Sequence, residues 1–139
     1  MTHTLTLIMG IHLFSALCAM VLGPLTIWAR RGRSQRPTLH KWAGRLWVVL
    51  MLVAAFSALG IRNSPLAVWQ GFSLVHIFVP VTFISLSVAL WAVATHRIAL
   101  HRRTMQNLYV FGLVVPGLFT LLPQRHLGQL IWGQWLGWL

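Results

Sequence analysis

Apolar residues dominate four stretches of this chain, roughly Leu5 to Trp28, Ala43 to Ile61, Val68 to Ala94 and Met105 to Leu122, and short polar or basic gaps separate them. A hydrocarbon core takes about 20 apolar residues in a helix, so the pattern predicts four membrane-spanning helices, about 5–28, 43–61, 68–94 and 105–122, the last being the shortest. The remaining segment reads "QRHLGQLIWGQWLGWL" and is too short to span. Its Trp132, Trp135 and Trp138 recur every three residues beside Gln129 and Gln134. That spacing predicts an interfacial helix lying on the outer face, or alternatively a helix that docks on a partner subunit. The expected organisation is a bundle over residues 1–123 and an amphipathic tail over 124–139.

Composition sharpens this picture. The 139 residues include eleven Lys and Arg and no Asp or Glu, and 58% are hydrophobic. A soluble domain carries both signs of charge on about a quarter of its residues. A nucleic-acid binder needs its basic patch on a soluble body, whereas these cations fill gaps between apolar runs, so nucleic acid is excluded as a partner. The fold class is all-α: an integral membrane four-helix bundle. The first run lacks a basic start and is followed by arginines instead of a small-residue cleavage site, so it is expected to stay in the mature chain.

Charge also orients the bundle. Arg30, Arg31, Arg33, Arg36, Lys41 and Arg45 flank the first connection and Arg97, Arg102 and Arg103 the third, against Arg62 and Arg125 on the other side. The positive-inside rule then puts both termini outside and the two basic loops in the cytoplasm. Cys18 is the one cysteine and lies within the first span, which excludes an intramolecular disulfide and predicts a buried, inert thiol.

The halves of the chain resemble one another. Aligning His12 with His76 and His40 with His101 gives offsets of 64 and 61 residues, and each half reads as histidine, basic loop, histidine, span. This predicts a two-fold parallel repeat about an axis along the membrane normal; two hairpins under the positive-inside rule would look alike without any repeat.

The histidines carry the candidate chemistry. His12 and His76 each fall several residues into their spans from the outer side, and at 1.5 Å per residue both are expected roughly 10 to 12 Å deep. A polar ring there is costly against lipid and should face the bundle interior, beside small residues such as Ser15, Ala16, Ala19 and Gly23. His40 and His101 are expected just before the second and fourth spans, at matched levels on the cytoplasmic side. One histidine pair at each of two depths suits axial ligation of b-type haem, with Arg45, Arg102, Arg103 or Lys41 as partners for the propionates. Each imidazole would bond its second nitrogen to a carbonyl or hydroxyl, because the chain has no carboxylate. The plainer alternative gives these rings only structural work, as caps at helix entrances or as hydrogen-bonded partners in the core. His96 is a spare inner ligand, and His3 and His126 are assigned nothing.

The missing carboxylates exclude an Asp or Glu proton relay, a carboxylate general base, a hard-cation site of the usual kind and a Ser-His-Asp triad. No Gly-rich phosphate loop follows a strand. A copper site from His12, Cys18 and Met20 has suitable ligand types and little else.

The strings "GIHLFSALCAMVLGP", "LHKWAGRLWVVLM", "GFSLVHIFVPVTF" and "HRRTMQNLYVFGLVVPGLFTLLPQR" together resemble a family of short bacterial four-helix predicted membrane proteins of unknown function. The resemblance covers about residues 10 to 126. It matches at His12, His40, Lys41, Gly44, His76, His101, Arg102, Arg103, Met105, Pro123 and Arg125, with Lys41 where the family more often has Arg, Gln124 where it commonly has Gly, and a Trp-rich tail outside its pattern. Replacing Arg by Lys at 41 keeps the charge and loses the planar fork. The resemblance implies a multi-pass protein of the bacterial cytoplasmic membrane and supplies no activity.

Three functional classes follow. A b-type, di-haem electron-transfer protein, alone or as the haem-bearing subunit of a membrane oxidoreductase, would exchange electrons with a quinol. A non-catalytic accessory or assembly subunit would use the apolar faces and the tryptophan tail to hold partner subunits or a second copy. A carrier of a lipid or small molecule would hold anionic headgroups on the basic loops.

Overall fold

Each apolar run contains helix, but the helices start elsewhere than hydropathy alone puts them. The computed structural model describes residues 2–32, 35–61, 67–69, 72–122, 131–133 and 136–137. Helix α1 spans Thr2–Trp28, α2 Pro37–Gly60, α3 Phe78–Ala94, α4 Ile98–Tyr109 and α5 Val115–Thr120. A π-helical segment, Val110–Val114, joins α4 to α5. Among the described residues the fold is all-α apart from a small antiparallel ribbon, β1 (Ala67–Trp69) with β2 (Phe72–Ser73), which leads through a 3-10 turn, Leu74–Ile77, into α3.

Prolines explain the shifted boundaries. Pro37 opens α2, where a missing N–H costs nothing and a fixed φ is already helical, so α2 begins six residues before the expected Ala43. Pro80 likewise sits in the first turn of α3. The third run was expected to be helical from Val68, yet its first part is ribbon and 3-10 turn, and α3 begins only at Phe78. In α4 the polar stretch "IALHRRTMQNLY" is helical from Ile98, earlier than the expected Met105, because arginines and glutamine are good helix formers that hydropathy overlooks. The π segment precedes Pro116, and Val115 N–H reaches back to Val110 O. Widening the turn is a common way for a helix to pass a proline that cannot donate.

Helices α1 and α2 are long and apolar enough to cross a membrane; α3 is apolar and shorter. Helix α1 packs on α2, α3 on α4 and α2 on α3, while α1 also touches α4 and the π segment. The buried positions are mainly small: Ala19, Ala29, Ala54, Ala55, Ala89 and Ala92, with Ser15, Thr26 and Thr82. Small residues let helix backbones approach where lipid provides no hydrophobic drive. Trp47, Met51, Leu86, Leu108 and Leu113 fill the centre with Ala19, and Phe56 meets Phe83 edge-on across α2 and α3 at 5.0 Å. Large side chains such as Phe14, Val21, Phe56, Ile84 and Phe111 point outward. This inverts the usual apolar-inside arrangement and is what a lipid-facing surface requires.

One contact between α1 and α4 answers a specific backbone defect. Pro24 lies inside α1 and cannot donate to Met20 O, the carbonyl four residues earlier. The Tyr109 hydroxyl donates to that same oxygen at 3.0 Å. Gly23 makes room for it, since a methyl group there would overlap the Tyr109 ring. Tyr109→Phe is therefore expected to cost about 0.6 to 1 kcal/mol, and less in a Pro24→Ala background, where residue 24 can donate to Met20 O itself. Unfolding of the four proteins in detergent checks this cycle; equal penalties in both backgrounds would refute the account.

Candidate functional site

The two basic turns, between α1 and α2 and between α3 and α4, are built alike. In each, an arginine precedes the helix, Arg36 before α2 and Arg97 before α4. The fourth helical residue is then a histidine whose backbone N–H donates to that arginine's carbonyl, His40 to Arg36 and His101 to Arg97, both at 3.0 Å. The imidazole turns back onto the preceding helix. His40 Nδ1 donates to Thr26 O at 2.9 Å, and His101 Nδ1 donates to Ala89 O at 2.9 Å. The arginine meanwhile stacks on a tryptophan of that preceding helix, Arg36 on Trp28 at 5.3 Å and Arg97 on Trp91 at 4.8 Å. Acceptors and tryptophans are offset by 63 residues between the halves, arginines and histidines by 61.

Local chemistry explains why the His40 ring points as it does. Near the end of α1 the Arg30 N–H bonds Ile27 O, so Thr26 O lacks its usual helical donor and His40 supplies one. A carbonyl only accepts, so each of the two rings carries a proton on Nδ1, and the neutral form of such a ring has its lone pair on Nε2. Neither Nε2 has a hydrogen-bond partner among the described residues. An Nδ1–H held on a carbonyl with Nε2 left bare is the arrangement found in metal-ligating histidines. Both histidines stand in the first turn of their helices, not ahead of them as expected.

The outer pair is less symmetrical. His12, in α1, donates from Nδ1 to Ala54 O at 2.9 Å, with Ser57 Oγ 3.2 Å away, and clips α1 to the end of α2. Its Nε2 is also without a hydrogen-bond partner among the described residues. His76 lies in the 3-10 turn ahead of α3, whereas His12 lies within α1, so the two do not hold the matched places inside helices that were expected. His76 bonds Ile61 O through Nε2 at 3.0 Å and so ties the turn ahead of α3 to the end of α2. The likeness of the halves holds at the basic turns and breaks at the other end.

The expected anion partners sit at the surface. Arg45 stacks on Trp42 of its own helix at 5.3 Å. Arg102 donates from Nη2 to Arg30 O at 3.3 Å, and with Arg103, Gln106, Ile98 and Ala99 lines an open recess on α4. Lys41 is exposed. His96 serves a different purpose: its φ of 59° makes it the left-handed residue that ends α3, with His96 N–H on Val93 O and Arg97 N–H on Ala92 O.

Between α1 and α2, Leu7, Gly10, Ile11, Phe14, Ser15, Leu50 and Val53 line an open apolar groove of about 720 Å³. Among the described residues no three of His, Cys, Asp or Glu gather into a metal cluster. The Arg on Trp stacks and the Trp47 indole, which donates to Ala19 O at 2.9 Å, were not anticipated. Only Trp42 and Arg45, three apart on one helix, offered a local signal. In the tail, Trp132 donates from Nε1 to Leu121 O at 2.8 Å, while Pro123, Arg125, His126, Trp135 and Trp138 lie outside the described residues.

The chain matches no curated protein and no solved structure. It does match a family model described as "Predicted membrane protein (DUF2306)" over residues 9–138, an extent that takes in the tryptophan-rich tail expected to lie outside the family's pattern. Helical runs edged by histidine and arginine, packed through small residues and apolar on the outside, belong to a membrane protein, and this chain is a member of that family of predicted membrane proteins.

Proposed function

We propose that this protein is a b-type electron-transfer protein of the bacterial cytoplasmic membrane, a four-helix bundle with both termini outside and its two basic turns in the cytoplasm. The observation that carries the reading is the pair of like-built turns, in which His40 and His101 hold Nδ1–H on a carbonyl and keep Nε2 bare. Axial ligation of haem iron uses two facing imidazoles, so a three-residue metal cluster is not required. Haem b, when bound, supplies a one-electron carrier. The chain's own part is to fix two tautomers and two ring orientations through backbone bonds.

The inner pair, His40 with His101, thus carries this reading ahead of His12 with His76. A second haem between His12 and His76 requires the His76 ring to turn over, because Nε2 is the nitrogen engaged by Ile61 O. Arg45, five residues beyond His40, is the propionate partner this reading keeps. The apolar groove between α1 and α2 offers a quinol a lipid-side approach to the bundle. The same unit would serve as the haem-bearing subunit of a membrane oxidoreductase, with the tail against a neighbour.

Full-length protein, expressed with haem in excess and purified in detergent, tests the proposal. A reduced-minus-oxidised spectrum is expected to show a b-type α band, with a pyridine haemochrome count of at least one haem per chain. A folded but colourless protein overturns it.

A further inference from the structure

The geometry points to a binding site for the phosphate of an anionic phospholipid on the outer side of α4, formed by Arg102, Arg103 and Gln106. These side chains line an open recess of about 360 Å³ whose other walls are Ile98 and Ala99. Two neighbouring guanidiniums repel one another unless an anion lies between them, and this chain has no Asp or Glu to supply one. The counter-charge must come from another molecule. One N–H of Arg102 is fixed on Arg30 O, which holds that guanidinium in place and leaves its other donors for a ligand. A planar fork beside a second fork and an amide suits the oxygens of a phosphate.

The surroundings select lipid over a soluble ion. Ile98 is 52% exposed and gives the recess an apolar wall. At the same end of the molecule the exposed rings of Trp28, Trp42 and Trp91 lie under Arg36, Arg45 and Arg97. Tryptophan with arginine in this arrangement marks headgroup depth. A phosphodiester at that level sits between the two guanidiniums while its acyl chains continue along the apolar face of the helices. This site is independent of haem and is read without it.

Native mass spectrometry of the full-length protein titrated with phosphatidylglycerol and with phosphatidylcholine tests the assignment. Phosphatidylglycerol is expected to bind in preference, and the R102Q/R103Q pair to weaken it by roughly tenfold or more, since each surface cation contributes measurably to anionic-lipid binding. R31Q/K41Q, which removes the same charge outside the recess, is expected to weaken it by less than about threefold, as surface charges short of direct contact are largely screened. Equal losses in the two pairs, or no preference between the lipids, overturn the proposal. Displacement of the lipid by inorganic phosphate at equal concentration would also overturn it, by making this a site for a soluble anion. Should the glutamine pair fail to fold, R102K/R103K carries the test: the charge stays and the fork goes, so affinity is expected to fall at least about threefold, and unchanged affinity refutes the site.

Discussion

Replacing His101 by alanine is expected to remove the b-type absorbance assigned to the inner histidine pair, with haem bound at least ~100-fold more weakly, because loss of an outer-shell partner alone already costs about 10 to 100-fold in metal affinity. His40→Ala should do the same, since the two residues hold equivalent places in the two turns. Alanine removes two things together: the proposed ligand, and the clip that ties α4 to Ala89 or α2 to Thr26. Two further measurements separate them. Glutamine at 101 can still donate an amide N–H to the carbonyl, so His101→Gln should keep the fold and still lose the band. Free imidazole added to His101→Ala should restore the band without restoring the clip. If the glutamine variant retains a wild-type spectrum, His101 is a structural residue and the electron-transfer reading loses its main support.

The second large effect concerns the packed centre. Trp47 is only 3% exposed and lies in one cluster with Met51, Leu86, Leu108 and Leu113. Trp47→Ala should destabilise the protein by about 3 to 5 kcal/mol, the range for emptying a large aromatic site. Trp47→Phe keeps most of the contact and loses the N–H bond to Ala19 O, for about 1 kcal/mol. Thermal or denaturant unfolding in detergent gives the comparison. An alanine variant no worse than phenylalanine would mean that the helices close over the gap and that the centre is less tightly packed than the cluster implies.

Much of this architecture was legible because hydropathy reports directly on the solvent a helix meets. The runs ending at Trp28, Gly60 and Ala94 could be read to within a residue, and the histidines at the basic turns were visible as a repeated pattern. What escaped depends on groups that hydropathy ignores. The third run is interrupted before Phe78 by Gln70, Gly71, Ser73 and His76, but reading it as one apolar stretch passed over these breaks, and His76 was expected inside a helix as a result. The first half of α4 is polar because it continues past the apolar zone, and so it looked like loop. Tyr109 and Gly23 are 86 positions apart and meet only once α4 lies against α1. Which nitrogen each histidine offers was likewise invisible, since it depends on a carbonyl at Thr26, Ala89, Ala54 or Ile61 that any residue could provide.

The lopsided charge has an electrical consequence. Arg30, Arg31, Arg36, Lys41, Arg45, Arg97, Arg102 and Arg103 all lie in the two basic turns or in the helix starts that follow them, and the chain has no Asp or Glu to offset them. Across an energised bilayer each elementary charge is worth about 2.3 kcal/mol per 100 mV, and in the proposed topology, with both basic turns on one side, these all act in the same sense. The two possible orientations of the inserted protein therefore differ by electrical work that grows with the membrane potential, and a cell that lets its potential collapse gives up part of what holds such a chain the right way round during insertion.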